Sequence, residues 1–497
     1  MLMLLCRTGS LLLIIAINVK YFRLMYIFHF CSIIEKSVST GWEPSSRTLT
    51  EEEPGLNSVT PPRSGHASTS LQEVAIRNRV SGKGGVYAVC SAHSWVIDAA
   101  IQQAKENDAV LHVESTSSQV NQLGGYTGQT PAQFAAFVHS AARRMGFPSD
   151  RILLGGDHLG PFPWKDTASG HALQKACELV RACVLAGYAK IHLDASMACA
   201  DDAKVLPESV VAQRAAVLCE VAEEALKGLP PGAALPLYVI GTEVPVPGGE
   251  SASGAPPVVT AVESLHQTLQ IFQRAFDERG LSEAWQRVVG VVVQPGVEFG
   301  EDVVFEYCGN KTRLSSAALP QSPALVYEAH STDYQSPSAL AQMVQDHFAI
   351  LKVGPWLTFA FREAVFALSM IERELLTGRE DQRLSQVREV LDQVMLREPA
   401  YWRSYYRGDE SQLRLSRAYS YSDRCRYYWH EPAVQAEIER LLDNLKKHSF
   451  PLTLVSQYLP QEYQAIRAGE IEAKPEAIIR YHIQLVLRTY AAACGMG

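Results

Sequence analysis

Eight short apolar runs of β type alternate with helical patterns between about residues 84 and 365, and this alternation leaves few folds open. The runs are 86–93, 110–116, 151–158, 190–196, 237–243, 287–296, 324–330 and 348–355. Helical spacing fills the gaps, as in 95–105, and Thr130-Pro131-Ala132-Gln133 reads as a capping-box helix start with proline at its first position. Such alternation gives parallel strands joined by right-handed crossovers, and a count of eight favours closure into a (β/α)8 TIM barrel over an open sheet. Helical patterns alone continue beyond residue 361, with 363–376 and 431–447 the clearest. The expected organisation is an extension over 1–70, a barrel over 71–380 and a helical C-terminal region over 381–497.

The extension is set apart by composition. Residues 2–34 are rich in Leu, Ile and aromatics, but Arg7, Lys20 and Arg23 interrupt them before the roughly 20 apolar residues that a membrane span requires. Residues 37–70 have the Ser, Thr, Pro, Gly and Glu content of a linker. A formal charge of −8 without a basic tract argues against a nucleic-acid partner. Ten cysteines without Cys-x-x-Cys spacing read as free thiols, as in a reducing cytoplasm.

The chemistry gathers at the ends of the runs. His93, Glu114, Asp157, His158, His192, Asp194, Glu243, Gln294, Glu328, His330 and Lys352 all stand at or near C-terminal ends, where a barrel carries its active site. In Gly155-Gly-Asp-His-Leu-Gly-Pro161 an apolar run gives way abruptly to an Asp-His pair and then to glycine and proline. Imidazole and carboxylate together suit a divalent metal such as Zn, which could polarise a ketose carbonyl while a neighbouring Asp moves the proton. On this reading His158, Glu243 and His330 are the metal ligands and Asp157 the acid/base. A single strand-end histidine serves equally well as a hydrogen-bonded core residue, and His112 and His192 lie further inside their runs. Gly124 and Gly125, with His192, Asp194 and Lys352, are candidate substrate-binding residues. The glycines could offer backbone N–H groups to a phosphate or simply form a turn needing positive φ. No Walker or dinucleotide pattern accompanies them.

Several motifs together carry a family resemblance. Val89-Cys-Ser-Ala-His93, Gln119-Val-Asn-Gln-Leu-Gly-Gly-Tyr-Thr-Gly128, Gly155-Gly-Asp-His-Leu-Gly-Pro161, Lys190-Ile-His-Leu-Asp-Ala-Ser-Met197, Gly241-Thr-Glu-Val-Pro-Val-Pro-Gly-Gly249, Val293-Gln-Pro-Gly-Val-Glu298, Tyr327-Glu-Ala-His-Ser-Thr-Asp-Tyr334 and Leu351-Lys-Val-Gly-Pro355 closely resemble the Z subunit of D-tagatose-1,6-bisphosphate aldolase. The resemblance extends through 419–429 and Ser456-Gln-Tyr-Leu-Pro460, over about residues 70–490. It implies a TIM barrel of galactitol, N-acetylgalactosamine or tagatose catabolism, acting in an oligomer as the accessory partner of a zinc-dependent class II Y subunit on a ketose bisphosphate. Asp157-His158 is similar to the Asp-His motif of catalytic class II aldolases, where Asp transfers a proton and His binds zinc. The alternative is an independent metal-dependent ketose-phosphate aldolase or epimerase. Some similar proteins are called tagatose-6-phosphate kinases, a label that the missing P-loop disfavours.

Overall fold

The computed structural model describes residues 65–242, 256–309, 314, 318–319, 324–379 and 381–496. Glu243, the Gly248-Gly249 loop and residues 1–64 lie outside these. Eight parallel strands close a barrel: β1 (Val86–Val89), β2 (Leu111–Thr116), β3 (Ile152–Leu159), β4 (Lys190–Leu193), β5 (Leu237–Ile240), β6 (Val288–Val292), β7 (Val326–Ala329) and β8 (Ile350–Val353). The ladder runs in chain order and closes where β1 pairs with β8, Val86 opposite Ile350 and Ala88 opposite Lys352. Their residues are almost all buried, as expected of parallel strands covered by helices outside and side chains inside.

Most strands are shorter than the apolar runs that announced them. Strand β4 ends at Leu193, so Asp194 and Ser196 stand in the loop beyond it and the expected one-face alternation of His192, Asp194 and Ser196 stops at His192. Strand β3 does the reverse. It carries Asp157 and His158 within the ladder as far as Leu159, with a register shift against β4 between Gly156 and Leu159. The capping box at Thr130 and Gln133 forms as the sequence requires, opening the helix Pro131–Arg144.

A helix, Gly65–Ser81, precedes the barrel and begins inside the stretch read as linker. Ala67, Leu71 and Ala75, four residues apart on one face, join Val86, Leu153, Leu237, Val289, Val326 and Ile350 in a separate apolar cluster across the N-terminal end of the barrel. That helix is the barrel's plug. The helical C-terminal region belongs to the same compact unit, Thr60–Gly497. Its last helix, Pro475–Ala493, packs against Ser94–Glu106, Pro337–Gln345 and Pro355–Leu376, so barrel and C-terminal region share one apolar core. No described helix is long and apolar enough to cross a membrane. The eight cysteines within the described residues are all free.

Candidate functional site

Side chains two apart on a strand share a face, so Lys190 and His192, Glu328 and His330, and His112 and Glu114 enter the lumen in pairs. Lys190 Nζ stands 2.6 Å from Glu114 Oε1 and 2.6 Å from Glu328 Oε2, all three residues fully buried. Lys352 Nζ meets Glu114 Oε2 and lies 2.9 Å from Asp157 Oδ1. Two ammonium groups thus lace three carboxylates across the interior. Gly155 makes room for this lattice, since a Cβ there would fall 2.7 Å from Glu114 Cγ. Burial pushes Lys352 down to about 8. Burial would raise Glu328, yet Lys190 and the His330 hydrogen bond hold it down at about 2.

Above the lattice, the imidazoles of His158, His192 and His330 form a triangle with ring centroids 4.9 to 5.2 Å apart. His330 Nε2 is 2.9 Å from Glu328 Oε1, and His158 Nδ1 is 2.7 Å from Asp194 Oδ2. His192 Nδ1 accepts the His158 N–H at 3.2 Å and lies 3.1 Å from Asp157 Oδ1. Its Nε2 is buried without a hydrogen-bond partner among the described residues. The glycines around the Asp-His pair have distinct tasks. His158 turns through φ +49°, and a Cβ on Gly160 would lie 1.5 Å from the Asp194 carbonyl oxygen, so β3 leaves the barrel pressed against the exit of β4. Burial would raise both Asp157 and Asp194, but His158 and its neighbours keep both carboxylates well below the usual range. Burial would lower His158, and Asp157 and Asp194 override it to bring that imidazole up to about 9. For His330 burial wins and its pKa falls.

The lattice and the triangle open into a cavity at the C-terminal mouth. Asp157, His158, His330 and Lys352 line its inner end, and Arg426 and Tyr427 of the C-terminal region line it too. An aromatic cluster seats that region, with Tyr126 of the loop after β2 edge-on to Tyr427 at 4.7 Å and Tyr401 stacked on Tyr427, also at 4.7 Å. Asp333, after β7, turns its Oδ1 to the N–H groups of Gly354 and Trp356, each at 2.9 Å, and so caps the helix Pro355–Leu376.

Of the residues expected from sequence, Asp157, His158, His330 and Lys352 come together at this cavity. His192 and Asp194 stand behind them, where they position Asp157 and His158. Gly124 and Gly125 form a turn with positive φ, one of the two roles open to them from the sequence. The Gly124 and Gly125 N–H groups go to the Asn121 carbonyl and side-chain oxygen, and a Cβ on Gly125 would lie 2.3 Å from the Gln119 carbonyl. Glu114, Lys190 and Arg426 went unassigned or unremarked in the sequence. Charge balance flags the first two, because a buried strand-end acid needs a buried cation.

Asp157, His192, Glu328 and His330 offer donor atoms within 4.8 Å of one another. This set fits a divalent ion in its chemistry, and it shares only His330 with the His158, Glu243 and His330 set expected from sequence. Asp194 engages only Nδ1 of His158 and leaves Nε2 turned towards Asp157, 3.7 Å away, while Glu243 lies outside the described residues. A second group, Cys90, Glu114 and Asp157, fits poorly: burial pushes the Cys90 thiol up to about 12, and Lys352 already binds both carboxylates.

The family model described as D-tagatose-1,6-bisphosphate aldolase subunit GatZ/KbaZ-like matches residues 71–495. The chain belongs to that family. The GatZ/KbaZ-like chain is also 44% identical to a probable tagatose 6 phosphate kinase from Sinorhizobium meliloti of known structure. That match covers 82% of this chain and all of the other, with a TM-score of 0.74. The fructuronate-tagaturonate epimerase UxaE from Cohnella laeviribosi is a remote match at 12% identity and a TM-score of 0.42, covering 83% of this chain and 82% of that one.

Proposed function

We propose that this GatZ/KbaZ-like protein is the accessory subunit of a D-tagatose-1,6-bisphosphate aldolase, supporting the activity and stability of a class II Y subunit in the cytoplasm. The observation that carries this reading is the family match, which runs through both the barrel and the C-terminal region. Galactitol, N-acetylgalactosamine or tagatose catabolism is the corresponding setting. A phosphotransfer role has weaker support, because no phosphate-binding loop of the Walker kind occurs in the sequence.

Cleavage of tagatose-1,6-bisphosphate by the purified, metal-quantified protein, alone and mixed with a class II Y subunit, tests the proposal. Activity should appear in the mixture, above that of the Y subunit alone, and not in this protein by itself. Cleavage by this chain alone, abolished by a chelator and by Asp157→Ala, would replace the proposal with the second reading.

That second reading, an independent metal-dependent aldolase or epimerase, is favoured by the four converging donors at the strand ends. His192, Glu328 and His330 would hold the ion, which supplies Lewis-acid polarisation of a carbonyl when bound, and would leave Asp157 beside it for proton transfer. The chain's own part is then clear. Asp157, ionised through the neutral range, accepts a proton from substrate, and the Lys352 ammonium in the cavity wall donates to a substrate oxygen.

A further inference from the structure

The usual anion seat of a barrel mouth, the helix N-terminus after the last strand, is closed here. Asp333 already takes the Gly354 and Trp356 N–H groups, and the Gly124-Gly125 turn spends its own N–H groups on Asn121. A negatively charged ligand entering this mouth therefore needs another donor. Lys352 also lines this cavity but is already paired with Glu114 and Asp157, and Arg426 is the other Lys or Arg side chain in its lining among the described residues. Arg426 lines both the inner cavity and an adjoining one that contains His93, Trp429 and His430.

Its guanidinium is fixed without a direct ion pair, the Asp423 and Asp333 carboxylates acting on it only from further off. One terminal nitrogen, Nη1, donates to the carbonyl oxygens of Ser422 and Asp423, and Nη2 donates to the Tyr427 hydroxyl at 2.9 Å. The Tyr427 ring lies 4.4 Å beneath the guanidinium carbon. No carboxylate among the described residues forms an ion pair with it, unlike Arg417 nearby, which binds Asp392 and Glu410. Three of five N–H donors are spent on neutral oxygens, leaving Nε–H and one Nη2–H without a partner among the described residues. Two free donors on a pre-organised planar cation are what an oxyanion takes up bidentately.

We propose that Arg426 anchors the phosphate of a sugar phosphomonoester whose polyol body reaches inward to His330 and Lys352. The C-terminal region thus supplies the anion subsite and the barrel supplies the polar centre. This rests on the sugar-phosphate reading above but not on which subunit cleaves the sugar.

The test is calorimetric titration of the full-length protein and of Arg426→Gln and Arg426→Lys with inorganic phosphate, D-fructose 6-phosphate and D-galacturonate. Wild-type protein should bind both phosphates. Arg426→Gln should lose about tenfold or more in affinity, and Arg426→Lys, a point charge without the planar fork, should fall between. Arginine modification by phenylglyoxal, followed by peptide mass spectrometry on wild-type protein, covers the case in which a variant does not fold: D-fructose 6-phosphate should protect Arg426. Unchanged phosphate affinity in Arg426→Gln, no phosphate binding by wild-type protein, no protection, or binding of galacturonate in preference to phosphate would each overturn the assignment. The two failures separate cleanly. Loss of the Arg426 assignment with Y-subunit activation intact leaves the aldolase role standing, and Arg426-dependent phosphate binding without activation removes that role alone.

Discussion

At Lys190 the barrel buries a full charge between two others, and the consequence is specific. Its ammonium sits 2.6 Å from both Glu114 and Glu328 with no exposure to water. Removing one member of such a set leaves carboxylates buried and unpaired, at a cost of about 3–5 kcal/mol. Lys190→Met should therefore lower unfolding stability by that amount in urea titration, and Lys190→Met with Glu328→Gln should recover part of it because the orphaned charge is gone. A Lys190→Met protein as stable as wild type would mean that the lattice carries no such strain of charge. Much of this centre was visible in the sequence as polar residues ending apolar runs: Asp157, His158, His330 and Lys352 all reach one cavity. What the sequence could not show is which of them pair. Strand alternation says that Lys190 faces inward, but only barrel closure brings β4 opposite β2 and β7.

At the level of elements, apolar runs alternating with helical patterns located all eight strands, while their ends shifted by a few residues because apolar character outlasts the ladder. Asp194 illustrates this: its N–H still donates to the Leu159 carbonyl of β3, but its carboxylate accepts from Ser196 and meets His158 in the loop beyond the strand. The helix Gly65–Ser81 begins in linker-like composition that ends at residue 70, and its buried apolar face is made of little more than Ala67, Leu71 and Ala75. That face closes the barrel floor from below. Leu71, 2% exposed, should cost about 2–3 kcal/mol on truncation in Leu71→Ala. Thermal melting reads this, and an unchanged melting temperature would show the plug to be dispensable.

Over the whole molecule, the C-terminal region and the barrel are held by contacts spanning hundreds of residues, which no local pattern announces. Arg426 and Tyr427 reach the cavity for this reason alone. A titratable clasp of the same kind joins three helices: His482, on Pro475–Ala493, lies 2.7 Å from Glu462 on Pro460–Ala468 and 3.3 Å from Glu363 on Pro355–Leu376. Burial would lower this histidine, but the two carboxylates raise it to about 9. A folded-state value above the unfolded one means stability present below about pH 6.5 and lost as pH rises through about 9, worth at most about 3 kcal/mol. The stability difference between wild type and His482→Gln, from urea midpoints at pH 6 to 10, should shrink along that interval. A difference independent of pH would show that the clasp does not titrate.

The lysine–carboxylate lattice also sets how deep anything can go. Lys190 and Lys352, tied across β2, β3, β4, β7 and β8, span the lumen like a grating just under the histidines, with the apolar plug layer beneath. A small molecule can reach the grating but not pass it, so recognition is confined to the rim. Selectivity in this fold is therefore written by loops and by a distant helical segment, and drift there could retune the ligand while the grated interior stays as it is.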